Sequence, residues 1–285
     1  YKRQVQTQIE GIKAGVDENT TIDYEFMDTK RFRTDEWLNM FHDMLKYHLE
    51  NTDPYDVVIV GDDAALQFAM EYREELFPEI PVVFEGVNDE EYAMKAAENP
   101  LVTGIIEKLS VEKNIDMALK VNPTADKVVA ILDDSVTADA ERKNFYNSAE
   151  NYPELEFSEI NAAELETARL QQAISKVDDK TILIYIVMSK DGSGKQYTSD
   201  QALCMIVDYA KVPVYRMVEA GIGDGLLGGN VVSMYKSGEI AAQMAMDIAN
   251  GTDSAEINVV KDSPNIYCVD AVSYTHLRAH ETAAN

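Results

Sequence analysis

Four carboxylates stand in two matching places: Asp62 and Asp63 close the stretch "YDVVIVGDD", and Asp133 and Asp134 close "KVVAILDD". Each pair follows a run of branched apolar residues and precedes a helical pattern. Each therefore lies at the carboxyl end of a buried strand, the edge where open α/β sheets bind their ligands. Aspartates in such places can act as general acids and bases, hold a metal, cap a helix or accept hydrogen bonds from a bound solute. Acid–base chemistry needs two carboxylates converging on one substrate, and a metal needs several ligands on one ion. The two pairs fall in different halves of the chain, and no His, Cys or Lys stands next to either. Asp and Ser are favoured helix caps, so Asp63 and Ser135 have a capping role open to them. A phospho-acceptor Asp would belong to a shorter, single-lobed domain. The remaining reading is the wall of a ligand site, with one aspartate of the first pair doubling as a cap.

Other motifs point to no reaction. "GIGDGLLGG" (221–229) has the glycines of a dinucleotide loop but precedes a strand, whereas the fingerprint requires strand, loop, helix. "DGSGK" (191–195) lacks the spacing of a phosphate loop and reads as a polar turn. No GxSxG elbow, Walker loop or HExxH motif occurs. Cys204 and Cys268 are far apart, with neither a disulfide framework nor a zinc spacing. His276 and His280 sit four residues apart in a closing stretch, "VSYTHLRAHETAAN", whose basic texture differs from the rest. That stretch resembles a translated library adapter, and residues 272–285 are set aside as a non-native tail. Neither a metal nor a cofactor is expected.

Strands and helices must place the aspartates. The pattern predicts a helix over 5–16, a strand over Thr21–Met27 ("TIDYEFM"), a helix capped by Thr34, the strand 55–60 and a helix over 64–76. Strands 82–86 and 102–107 follow, with a helix near 90–97 before the second of them. A second series has helices over 110–121, 136–151 and 162–177 and another after Tyr197. Its strands are 127–133, 155–160, 181–187 and 212–218. A short strand then leads to a helix starting near Ser237, with Glu239 in its first turn. Trp37, Phe41 and Leu45, at helical spacing, are core residues, as are Met244 and Met246. Tyr215 and Tyr235 are half-buried sheet tyrosines before they are platforms for stacking a sugar or a base. The alternation predicts an α/β protein of two doubly wound parallel-sheet lobes; a closed eight-fold barrel fits worse because the final part breaks the rhythm.

The chain has 285 residues, 25 Lys and Arg against 51 Asp and Glu, and a formal charge of -26. That charge repels a phosphate backbone and anionic lipid alike, so nucleic acid is excluded as a partner. No apolar run approaches the roughly 20 residues that span a bilayer.

The segments "YEFMDTKRF", "YDVVIVGDDAALQFAMEYREELFPEIPVVFEGVND", "DGSGKQYTSDQAL" and "VPVYRMVEAGIGDGLLGGNVVSMYKSGEIAAQMAMDIANG" resemble the ABC-transporter substrate-binding-protein-like family, with the type I periplasmic-binding-protein fold. The likeness runs from about Gln8 to Asp270, and "NIYCVD" resembles the family's last strand. The resemblance implies two lobes around a ligand cleft, closing on a small polar solute by hinge motion, and no enzymatic activity. It also implies a first strand before residue 1, whose loss leaves a gap in the first sheet. The expected lobes are 1–107 with 230–255 returning to it, and 108–229 with 256–271. The ligand-binding positions it implies are Gly61, Asp62, Asp63, Glu85, Asn88, Asp133, Asp134, Ser135, Thr137, Ser189, Arg216, Glu219 and Gly223. Members of the resembling branch serve as extracytoplasmic sensor domains, membrane-tethered, with a histidine kinase or diguanylate cyclase as output. The alternative is a free or lipid-anchored receptor that feeds an ABC permease; an α/β enzyme is a remoter one.

Overall fold

The computed structural model describes residues 2–29, 32 and 34–271. The tail reading and the His276/His280 pair lie outside the described residues. The described residues form two compact units, 2–108 with 233–264 and 109–232 with 265–271.

In the first unit, α1 (Lys2–Gly15) and α2 (Asp35–Asn51) precede a parallel sheet of β1 (Val58–Gly61), β2 (Val82–Val87) and β3 (Val102–Ile106), in the order β1-β2-β3. The Thr34 hydroxyl accepts from Trp37 N and starts α2 as its sequence requires. α3 (Asp63–Glu71) and α4 (Arg73–Leu76) replace the single helix expected over 64–76; the chain breaks at Tyr72, whose ψ of 19° leaves the helical range. α5 (Glu90–Ala96) links β2 to β3 and is capped by Asp89. β2 and β3 are buried along their whole lengths, hence their unbroken apolar runs.

The strand expected over Thr21–Met27 does not form. β1 is the sheet's edge and no ladder reaches that segment. It is held by side chains instead: Trp37 Nε1 donates to Met27 O at 2.6 Å, and Tyr55 Oη donates to Asp23 at 2.8 Å.

α10 (Met234–Ala249), capped by Ser233, returns to this unit and packs on α1. It begins three residues before the predicted Ser237, so Glu239 lies in its second turn and pairs with Lys236. A Cβ on Gly11 would lie 2.0 Å from Tyr235 O, and one on Gly238 would lie 2.4 Å from Gln8 O. Those two glycines allow the helix backbones to approach closely and fix the height of Gln8 over the sheet. Residues 256–264, expected in the second lobe, belong here: Thr103 Oγ1 donates to Ile257 O at 2.8 Å, and Val260 bridges Ile105 in parallel.

The second unit is a six-stranded sheet ordered β5-β4-β6-β7-β8-β9. Its strands are β4 (Lys127–Leu132), β5 (Glu156–Asn161), β6 (Thr181–Tyr185), β7 (Val214–Arg216), β8 (Gly228–Val231) and β9 (Ile266–Val269). All run parallel except β9, which is antiparallel to β8 and contains the "IYCV" read as a last strand. α6 (Val111–Val121), α7 (Val136–Ser148), α8 (Thr167–Ser175) and α9 (Ser199–Tyr209) cover the sheet. Short 3-10 turns at 149–151 and 162–164 take up the helical residues expected beyond α7 and before α8. The strand order reverses at β4, with β5 on one side and β6 on the other, which opens a crevice at their carboxyl ends.

Candidate functional site

In the first unit the carboxyl edge is built by the turns after β1 and β2. Gly61 lies opposite Glu85 in the ladder. Asp62 follows with φ 86° and ψ 153°, a conformation open to Gly but strained for Asp. Its amide donates to Glu85 O at 3.0 Å and its carbonyl accepts from Ala65 N and Leu66 N, so the backbone around it holds the strain in place. The Asp62 side chain makes no capping bond to α3. Asp63 does not cap the helix either: its carboxylate accepts from Asn88 N at 3.1 Å, Asp89 N at 3.0 Å and Asn88 Nδ2 at 3.4 Å, tying the β1 turn to the β2 turn. The capping role foreseen for one of this pair is thereby corrected.

Glu85 is 1% exposed. Gln8 Nε2 of α1 donates to its Oε1, while Oε2 is buried without a hydrogen-bond partner. Burial pushes its carboxyl up to about 7; the bond from Gln8 opposes the rise, and the charges of Glu107 and Asp62 add to it.

In the second unit Asp133 fills the crevice between β4 and β6. It accepts from Ser135 N (3.0 Å), Ser135 Oγ (2.6 Å), Ser189 N (2.7 Å) and Ser189 Oγ (2.6 Å). Burial works to raise its pKa, but these four donors outweigh burial and leave it below the usual value. Ser135 Oγ also accepts from Ala138 N, the cap foreseen for α7. Asp134 is exposed and paired with Lys190 at 2.9 Å. Arg216, at the end of β7, donates through Nη1 to Tyr185 O (3.2 Å) and Ile186 O (2.9 Å), and its guanidinium lies 3.9 Å from the Tyr185 ring centroid. Burial lowers its pKa.

The structure thus gathers Gly61, Asp62, Asp63, Glu85 and Asn88 at one edge, and Asp133, Asp134, Ser135, Ser189 and Arg216 at the other unit's edge. Thr137, in the first turn of α7, and Glu219 are exposed and make no side-chain bond to that cluster among the described residues. Gly223 (φ 90°) lies in the loop after β7 with open space where a Cβ would be. Sequence reading missed Gln8, Tyr185 and Lys190. The first two have no local signal, since their partners are 77 and 31 residues away. Lys190 immediately precedes the stretch read as a polar turn, where the buried Asp191 accepts from Ser193, Thr167 and Tyr197 and is held well below the carboxylate range.

A hollow of ≈ 490 Å³ opens in the first unit at the opposite, amino edge of the sheet, lined by Met94, Ala97, Asn99, Val102, Ile257 and Lys261 among others. Among the described residues no group of three or more His, Cys, Asp or Glu is placed to hold a metal.

The sequence model of the family described as ABC transporter substrate binding protein matches residues 5–277. No curated protein matches the chain. Among solved structures, a substrate-binding protein with adhesive properties from Clostridium difficile, in a ligand-free, open form, superposes with a TM-score of 0.70 at 16% identity, covering 98% of this chain and 91% of that one. An ABC domain from Streptococcus pneumonia in complex with L-Trp gives 0.60 at 15% identity, covering 96% and 90%. A carbohydrate transporter from Acidothermus cellulolyticus in complex with myo-inositol gives 0.53 at 13%, covering 99% and 94%. The chain belongs to the ABC transporter substrate-binding protein family and has the two-lobed α/β fold of periplasmic binding proteins.

Proposed function

We propose that this substrate-binding protein captures a small polar solute at the carboxyl edges of its two sheets, and that ligand-driven hinge closure is its output. The candidate contacts are Asp62, Glu85 and Asn88 at the edge of the first unit's sheet and Ser135, Ser189 and Arg216 at the edge of the second unit's sheet. The observation that carries this reading is Asp62: a non-glycine residue is held at φ 86° at the carboxyl end of β1, where open α/β sheets bind their ligands. Backbone strain of about 1–3 kcal/mol persists where the surrounding structure fixes it, and such residues cluster at binding sites. A ligand shifts the conformation only by its differential affinity for the two forms, so the signal strength follows the contacts made in the closed one.

In this reading the domain works outside the cytoplasm and passes closure to a membrane-bound partner. The first candidate is a signalling output domain, a histidine kinase or diguanylate cyclase. The family description favours a second, an ABC permease that takes up the solute. No helix among the described residues is long and apolar enough to cross a membrane. The relatives' ligands, an amino acid and a polyol, bracket the chemistry the site has to choose between.

The test is a thermal-shift screen of amino acids, polyols and organic acids on the wild type and on Asp62→Ala. A solute that raises the wild-type Tm and has a much smaller effect on the variant supports the assignment. A solute equally effective on both removes Asp62 from the site.

A further inference from the structure

The second unit's sheet ends in two edge strands, β5 and β9, and their chemistry differs. An edge offers unpaired N–H and C=O groups to any extended chain, and natural proteins blunt it with charge. β5 is blunted in this way: Glu156 is exposed on it, and Glu159 holds Arg142 beside it at 3.0 Å. β9 has no such guard. Residues 263–269 carry no charge in a chain whose residues are 27% charged, and Ile266, Tyr267 and Val269 are 37%, 60% and 41% exposed. Branched and aromatic side chains of this kind favour strand pairing.

The ladder between β8 and β9 shows which backbone groups are on offer. The two strands are antiparallel, and Asp270 N donates to Leu227 O at 2.8 Å. In such a ladder successive residues turn their N–H and C=O to opposite sides. Ile266 and Cys268 therefore bond towards β8, as Asp270 does, while Tyr267 and Val269 turn theirs to the free edge. That edge is complementary to its own copy. In an antiparallel pairing Tyr267 can face the partner's Val269 while Val269 faces the partner's Tyr267, the reciprocal contacts of a two-fold axis. The axis then passes between the two copies of Cys268, which meet as a non-hydrogen-bonded pair with Cα atoms about 4.5 Å apart. Charge selects the same place: each copy has a formal charge of -26, so contact between copies is least opposed along a strip without carboxylates.

We propose that β9 is a self-association edge, pairing antiparallel with β9 of a second copy and joining two six-stranded sheets across a two-fold axis at Cys268. No candidate solute contact lies on β9, so the pairing stands apart from solute capture. The strand is short, so the dimer is weak and forms as concentration rises.

Sedimentation equilibrium of the wild type and Tyr267→Lys tests it, together with thiol cross-linking of Cys204→Ser by diamide, which takes up the two thiol hydrogens. The wild type should pass from monomer towards dimer as concentration rises to about 1 mM. Tyr267→Lys should keep its Tm and raise the dissociation constant at least about tenfold, because the two-fold sets the new charge on both strands. In Cys204→Ser the remaining thiol is Cys268, and a Cα separation of about 4.5 Å lies within disulfide range, so a covalent dimer should form. A wild type that stays monomeric to about 1 mM overturns the inference. So does a Tyr267→Lys variant that associates like the wild type, or a dimer in which Cys268 does not cross-link. Should Tyr267→Lys not fold, the cross-link decides alone.

Discussion

Glu85 and Asp62 are neighbours with opposite lessons for stability. Glu85 holds its proton in the fold up to about 7, against an ordinary value of 4.5. Between those values the native state binds more protons than the unfolded chain, so stability falls as pH rises from about 4.5 to 7 and is flat above. The shift corresponds to roughly 3 kcal/mol. Urea unfolding from pH 4.5 to 8 should show that decline in the wild type, and Glu85→Gln should flatten it. An equal slope in both would assign the pH dependence elsewhere. Asp62 carries backbone strain that glycine would not, so Asp62→Gly should raise stability by about 1 kcal/mol or more while weakening solute binding. Urea midpoints check the first part; a lower midpoint would mean that the side chain holds the fold. The two aspartate pairs were visible in sequence, but their partners were not. Asp133 reaches Ser189 across 56 residues and Glu85 reaches Gln8 across 77, distances that no local pattern spans.

Among the elements, the turn after β4 depends on one buried carboxylate and one exposed one. Asp133→Ala strands four donors, the N–H and hydroxyl of Ser135 and of Ser189, and should lower stability by about 3 kcal/mol or more. Asp134→Ala breaks only the exposed pair with Lys190 and should leave stability nearly unchanged. Chemical denaturation of both variants separates the roles, and equal losses would contradict them. The α1–α10 contact is tested by Gly238→Ala, whose new methyl meets Gln8 O. Overpacking of this kind costs about 1–3 kcal/mol, and displacing Gln8 should also alter the pH profile set by Glu85. Helices and buried strands were legible because their periodicity and caps are local, as Thr34, Ser110 and Ser135 show. Thr21–Met27 was misread because a strand needs a neighbour, and β1 leaves that segment without one. The return of 256–264 to the first unit was equally hidden, since it depends on Thr103 and Ile105 some 150 residues earlier.

At the scale of the whole molecule, the match to the substrate-binding-protein family over residues 5–277 is what makes the chain a binder of small solutes. The two-unit division was legible from the repeated alternation, and its last crossings were not, because they are made by short segments with little periodicity. Where the solute sits is decided by hydrogen–deuterium exchange with and without a binding solute. Protection is expected at residues 61–63, 85–89, 133–137, 186–190 and 216, at the carboxyl edges, and nowhere else. Protection of the amino-edge hollow around Met94, Asn99 and Lys261, with those segments unchanged, would contradict it.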